Sequence, residues 1–240
     1  MTLKKKKIIL TGASSGIGLE LLRYLINNGA NVFAASRRQK SILAEDEKKC
    51  QFEIIDLTNE DKVKQYVNKI ISSTGKIDIL INNAGVAQDL SLLEDLEYEE
   101  FQAVIKDNVM TTFNMIKYIL PIMKKQNSGI IINVSSRSGR RGVPRLSAYC
   151  SAKFAVRGLT ESVAKEVENN NIKCISISPG GVNTDMRRRL FGDKDAVEQQ
   201  PTSRIIDIVV KILSEKIQVP NGADVLIVKD KKPVIKVPES

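Results

Sequence analysis

Tyr149 and Lys153 stand four residues apart, so a helix would carry both on one face. A free phenol titrates near about 10. An ammonium beside it favours the phenolate and should lower that value, which makes the phenol usable as an acid and a base. A lone Tyr-x-x-x-Lys occurs often by chance, and its surroundings give this one weight. Ile130–Val134 reads as a buried strand ending in Ser135-Ser136. Ile175–Ser178 runs into Pro179-Gly180-Gly181-Val182, and Ile79–Ile81 into Asn82-Asn83-Ala84-Gly85. Such strand ends are where parallel α/β sheets bind ligands.

A second cluster is suited to phosphate. Thr11-Gly12-Ala13-Ser14-Ser15-Gly16-Ile17-Gly18 follows the first apolar run and opens a helix with Leu21, Leu22, Leu25 and Ile26 on one face. Gly12 permits a tight turn, Gly16 lets backbone approach a pyrophosphate, and Gly18 allows close helix–strand packing. The free N–H groups of the new helix then face the anion. The spacing is Gly-x-x-x-Gly-x-Gly, and a glycine triplet alone is a weak signal; its place in a βα unit is what favours a dinucleotide. The next strand ends Ala34-Ala35-Ser36-Arg37-Arg38. An acid there would hold a ribose 2′-hydroxyl, whereas Ser36 and Arg37 supply the hydroxyl donor and cation that suit a 2′-phosphate. The expected cofactor is NADP(H) rather than NAD(H). The alternative is that both arginines are ordinary surface residues.

The elements that must position these residues are legible as alternation. Strands are expected at Lys7–Leu10, Val32–Ala35, Phe52–Ile55, Ile77–Ile81, Ile130–Val134, Ile172–Ser176 and Val225–Val228. Several are continuous Ile/Leu/Val runs, as in strands covered on both faces. Amphipathic stretches separate them, among them Val63, Val67, Ile70 and Ile71 after Thr58-Asn59-Glu60-Asp61, and Val156, Leu159, Val163 and Val167. Regular strand–helix alternation implies right-handed crossovers and a parallel sheet. No linker divides the 240 residues, so residues 1–240 are read as a single domain.

Composition narrows the chemistry further. Apolar residues make up 42% and charged residues 27%, as in ordinary globular proteins. The chain has no His and no Trp, which removes Ser-His-Asp and Cys-His catalysis and imidazole metal sites. Cys50, Cys150 and Cys174 lie far apart; they fit a reducing compartment and argue against zinc. No apolar run approaches the roughly 20 residues of a membrane span, and a cytoplasmic location is expected. The net charge of +9 comes from scattered lysines with only 5% aromatics, which does not suit nucleic-acid binding.

Taken together, the motifs resemble the short-chain dehydrogenase/reductase family in its compact branch. The resemblance runs from Lys6 to about Thr184 through Thr11–Gly18, Asp56, Asn82–Gly85, Asn108, Ser136, Tyr149 with Lys153, and Pro179–Thr184, in the family's order. It implies a doubly wound α/β Rossmann-type sheet of about seven parallel strands flanked by helices, and a nicotinamide cofactor. It also implies that Asp56 and Leu57 flank the adenine, that Asn82, Ala84 and Gly85 line the ribose side, and that Pro179, Gly180, Val182 and Thr184 close the nicotinamide end. Tyr149 is then the acid in carbonyl reduction. Lys153 holds the ribose hydroxyls and, with the oxidised nicotinamide, favours the phenolate. Ser136 donates to the substrate oxygen. Asn108 is implied to hold a water linking Lys153 to solvent; the plain alternative is a surface amide on a long helix. No metal is needed. A homodimer is expected by the same resemblance. The lysine-rich tail after Val228 departs from the family pattern and puts the usual tetramer in doubt.

Two questions stay open at the level of sequence. One is the substrate: a 3-oxoacyl thioester competes with other carbonyls and sugars. Arg137, Arg140, Arg141, Arg145 and Arg187–Arg189 would ring the cleft mouth and favour an anionic ketone, unless they are scattered surface charge. The other is whether the chain is a non-catalytic NADP(H)-binding regulator, a role that would not need the Ser136/Tyr149/Lys153 set.

Overall fold

The computed structural model describes residues 2–38 and 49–238. β1 (Lys7–Thr11) leads into α1 (Gly16–Asn27), β2 (Asn31–Ser36) and β3 (Gln51–Ile54). α2 (Glu60–Thr74) and β4 (Ile79–Asn82) follow, then α3 (Tyr98–Ile105), a π turn over Lys106–Met110, and α4 (Thr111–Gln126). β5 (Gly129–Val134) precedes a short 3-10 turn at Arg137–Gly139, α5 (Ser147–Glu166) and β6 (Ile172–Pro179). α6 (Asp185–Glu198), α7 (Thr202–Leu213), β7 (Asp224–Ile227) and β8 (Val234–Lys236) are the last of the described elements.

The described strands form one sheet in the order β3-β2-β1-β4-β5-β6-β7-β8. All seven expected strands are present and parallel, and β8 adds an antiparallel edge against β7. This strand lies in the segment read from sequence only as a lysine-rich tail. A hairpin needs only a short connection, whereas a further parallel strand would need a crossover.

Alternation along the strands divides the core into two layers. Ile8, Leu10, Ile79, Ile81, Ile132, Ile175 and Ile177 face α1 and α7. Ile9, Leu80, Ile131 and Cys174 face α2, α4 and α5. Because both faces are covered, these strands read as unbroken apolar runs. α2 begins where expected: the Asn59 side chain accepts from the Lys62 amide at 3.0 Å, and Gly75, at φ 72°, ends the helix. The chain winds outward from β1 in one direction and from β4 in the other, so a crevice opens at their carboxyl ends.

Candidate active site

The glycine turn sits at that crevice. Gly12 has φ +67°, and a Cβ there would lie 2.7 Å from the Ala84 Cα; one on Gly18 would lie 2.1 Å from the Gly12 carbonyl oxygen. Only hydrogen fits at either place, so the turn can pack on β4 and α1 can start immediately. Thr11 ties the two strand ends together, its Oγ1 accepting from the amides of Asn83 and Ala84 at 3.0 Å each. The Asn83 amide nitrogen donates back to the carbonyls of Thr11 and Gly12 at 3.1 Å. Ser15 makes no side-chain cap on α1, which leaves the first-turn N–H groups available to an anion.

A cleft of about 820 Å³ runs from this turn to the Tyr149 helix. Ser14, Ser15, Gly16 and Ile17 line it, together with Ser36, Arg37, Asp56 and Leu57 at the β2–β3 end. The Ser14 and Ser36 hydroxyls meet at 2.8 Å. Burial pushes the Asp56 carboxyl up, but hydrogen bonds from the Thr58 amide and hydroxyl and the charges of Arg37 and Lys106 outweigh this and hold it below the usual range. Ala84, Gly85, Ser136, Tyr149, Lys153, Pro179, Gly180, Val182 and Thr184 line the other end. A glycine cradle without side chains and uncapped helix amides are the donor set that a dinucleotide's pyrophosphate needs.

Three expected cofactor or site residues lie elsewhere. Asn82 is 2% exposed and does not line the cleft. It donates to Asn133 Oδ1 at 2.8 Å, and Asn133 donates to Thr160 Oγ1 at 2.9 Å, so these amides fasten β4 and β5 to α5. Asn83, its neighbour, lines the cleft instead. Gly18 packs inside the turn and does not line the cleft. Asn108 is fully buried, which excludes the surface-amide alternative. It sits in the π turn rather than in a regular helix. Its amide nitrogen donates to the carbonyls of Val104 (2.7 Å) and Val86 (2.8 Å). By taking the Val104 carbonyl, the side chain competes with the i→i−4 bond and favours the wider turn. Its Oδ1 has no hydrogen-bond partner. A Cβ on Gly85 would lie 2.5 Å from that oxygen and 3.0 Å from Lys153 Nζ, so both groups converge on this glycine.

α5 presents Tyr149 and Lys153 together. Its first turn lacks a cap of its own; the Tyr149 amide instead donates to Gln88 Oε1 at 3.0 Å. Gln88, 2% exposed, is a positioning contact that nothing in the local sequence signals. Ser135 Oγ donates to the Lys153 carbonyl at 2.8 Å, and Lys153 Nζ donates to the Val134 carbonyl at 3.0 Å. Gly139 lets the 3-10 turn approach: a Cβ there would be 2.6 Å from the Lys153 carbonyl oxygen. Burial pushes the Tyr149 phenol up, partly offset by its hydrogen bond with Ser136. Burial also depresses the Lys153 ammonium to about 8. The expected lowering of the phenol by Lys153 is therefore not present in the protein alone, because desolvation dominates both groups.

The arginines divide sharply. Arg140 is not at the cleft mouth: its side chain is 9% exposed and lies 3.4 Å from the buried Asp224, which also accepts from Ser176 and Ser178. Arg157 shares this carboxylate at 3.5 Å and donates to the Gly139 carbonyl at 2.9 Å. Arg187 and Arg189 both line the cleft, but Arg187 is bidentate to Asp195 and Arg189 pairs with Asp89 at 2.7 Å. Arg188, outside the lining, pairs with Asp185 and Asp193, and Arg145 also lies outside it. Arg137 and Arg141 line the cleft, and among the described residues neither makes an ion pair.

Comparison with known proteins agrees with this architecture. Residues 6–195 match the short chain dehydrogenase family profile. The 3-oxoacyl-[acyl-carrier-protein] reductase of Thermotoga maritima is 35% identical over 196 residues, 79% of each chain. The structure of ElxO with NADP bound superposes with a TM-score of 0.81 at 28% identity, covering 93% of this chain and 97% of that one. NAD+-bound xylitol dehydrogenase gives 0.83 at 25%, covering 95% and 99%. Among the described residues no helix is long and apolar enough to cross a membrane.

Proposed function

Since the chain belongs to the short-chain dehydrogenase/reductase family, we propose that it is an NADP(H)-dependent oxidoreductase that interconverts a carbonyl and a secondary alcohol, built as a single domain over residues 1–240. The observation that carries this reading is the convergence of Ser136, Tyr149 and Lys153 on the cleft that also holds the glycine turn. When bound, the nicotinamide supplies or accepts the hydride. The chain's own residues handle the proton. Tyr149 gives its hydroxyl proton to the carbonyl oxygen as that oxygen gains charge, and takes it back in the reverse direction. Ser136 Oγ donates a hydrogen bond to the same oxygen. Lys153 holds the ribose hydroxyls, and its charge favours the phenolate left by proton transfer. Asn108 Oδ1, an unpartnered acceptor beside Lys153, accepts from a water through which Lys153 exchanges protons with solvent. NADPH consumption against ketones, aldehydes and quinones tests the activity; binding without turnover of any carbonyl would favour a regulator.

The preference for NADP(H) rests on Ser14, Ser36 and Arg37 and on the absence of an acid at the end of β2. Arg37→Ala is expected to weaken NADPH binding about 10-fold, the scale of a partly exposed charged hydrogen bond, and to leave NADH within about twofold. Fluorescence titration of both cofactors checks this, and equal losses would sink the assignment.

For the substrate we favour an anionic ketone, such as a 3-oxoacyl thioester, met by Arg137 and Arg141, which line the cleft beyond Ser136 and make no ion pair among the described residues. The double change Arg137/Arg141→Gln should lower kcat/KM for an anionic ketone about 3- to 10-fold at low salt, an effect that shrinks as salt rises. A matched neutral ketone should barely respond. Equal responses would make both arginines solvated surface charge. We also infer a cytoplasmic homodimer, supported by the exposed apolar side chains Met110, Phe113 and Phe154 around α4 and α5.

A further inference from the structure

Arg37 does not wait for its ligand as a free cation. Its Nη1 lies 2.8 Å from Asp107 Oδ2. Asp107 belongs to the π turn, one residue before Asn108, and both Arg37 and Asp107 line the cleft. The pair therefore joins two walls of the adenosine end: the tip of β2 and the turn between α3 and α4. The Asp107 side chain is 18% exposed, against 49% for Arg37. The acid is the better-fixed partner, because its turn is anchored by the two Asn108 hydrogen bonds to Val86 and Val104.

We propose that Asp107 sets the strength of discrimination between 2′-phosphorylated and unphosphorylated adenosine, by holding the Arg37 guanidinium in an ion pair that the 2′-phosphate must displace or share. The inference rests on Arg37 being the phosphate cation. A doubly charged phosphate entering beside a carboxylate meets repulsion, and it must compete for a guanidinium already paired. A ribose hydroxyl meets neither cost. Asp107 thus lowers affinity for the phosphorylated cofactor selectively and brings the two cofactors closer together.

Titration calorimetry with adenosine 2′,5′-bisphosphate and 5′-AMP isolates this end of the site and needs no turnover. Asp107→Asn keeps the shape and removes the charge. It should tighten the bisphosphate about 3- to 10-fold, the scale of one partly exposed charge acting on a doubly charged group, and leave 5′-AMP within about twofold. Asp107→Ser must move the ratio the same way. On an Arg37→Ala background the Asn change should lose most of its effect, because its target is gone. The inference is overturned if Asp107→Asn leaves or weakens bisphosphate affinity while Arg37→Ala abolishes the preference, or if both ligands tighten alike. If Arg37→Ala leaves the ratio of the two ligands unchanged, the NADP(H) reading itself falls, which is a separate result in the same titration.

Discussion

Tyr149→Phe is expected to lower turnover by at least about 10²–10⁴-fold, the range of general acid–base catalysis, with NADPH affinity close to that of the wild type. The ring keeps its place on α5 because the Gln88 bond is to the backbone amide. Ser136 Oγ keeps its contact with the Ser138 amide at 3.1 Å, so the substrate-side hydroxyl is not freed to collapse. What is lost is the transferable proton, together with the phenol's hydrogen bond to Ser136. Burial holds the phenol protonated at neutral pH, which suits carbonyl reduction and leaves the oxidation direction dependent on a favouring charge. Steady-state kinetics with a reducible carbonyl, beside a cofactor titration, checks both halves. A variant that keeps most of its turnover would remove Tyr149 as the proton donor.

Lys153→Met should inactivate and stabilise at once. Burial depresses the ammonium from its ordinary 10.5 to about 8. Below about pH 8 the group is charged both folded and unfolded, so the full cost of burying the charge is present at neutral pH. Between about 8 and 10.5 the unfolded chain binds the proton more tightly than the folded one, so the stability of the wild type should rise with pH across that window. A depression of this size corresponds to at most about 3 kcal/mol. The lost hydrogen bond to the Val134 carbonyl offsets about 1 kcal/mol of that. Urea unfolding without cofactor should therefore find the Met variant about 1–2 kcal/mol more stable at pH 7, with the advantage shrinking at pH 9.5. Activity should fall by about 10² or more. A Met variant less stable at pH 7, or an advantage indifferent to pH, would show that the ammonium is accommodated at little cost.

Much of this site was legible because its signals are local. Covered strands produce unbroken Ile/Leu/Val runs, and the glycine turn, Ser136, and Tyr149 with Lys153 each sit at a strand end or on one helix face. The choice between Asn82 and Asn83 was also local, but it needed the phase of β4. Counting alternately from Ile79 puts Asn82 on the Leu80 face, toward α5, and leaves Asn83 for the crevice. Other features depended on partners far away in sequence. Nothing near Arg140 announces Asp224, and nothing near Arg37 announces Asp107. Each of these arginines looked like free charge until folding supplied its carboxylate. The π turn at Asn108 was hidden for a different reason: it arises from one side chain taking one backbone carbonyl, which leaves the apolar periodicity around it almost unchanged. The lowered phenol expected for Tyr149 counted the neighbouring charge and omitted the desolvation that α5 imposes.

The reversed strand β8 bears on how the molecule stays monodisperse while it folds. An uncovered outer strand offers a row of unpaired N–H and C=O groups on which another chain can template itself. β7, with Val225 and Ile227 fully buried, would make an adhesive rim if left bare. β8 covers it with three residues, Asp224 opposite Lys236 and Leu226 opposite Val234. Pro233 and Pro238 flank the new outer strand and contribute no N–H donors, and Lys236 adds charge to it. β8 follows β7 in the chain, so during synthesis the rim of β7 is made before its guard and stays unpaired until the hairpin closes.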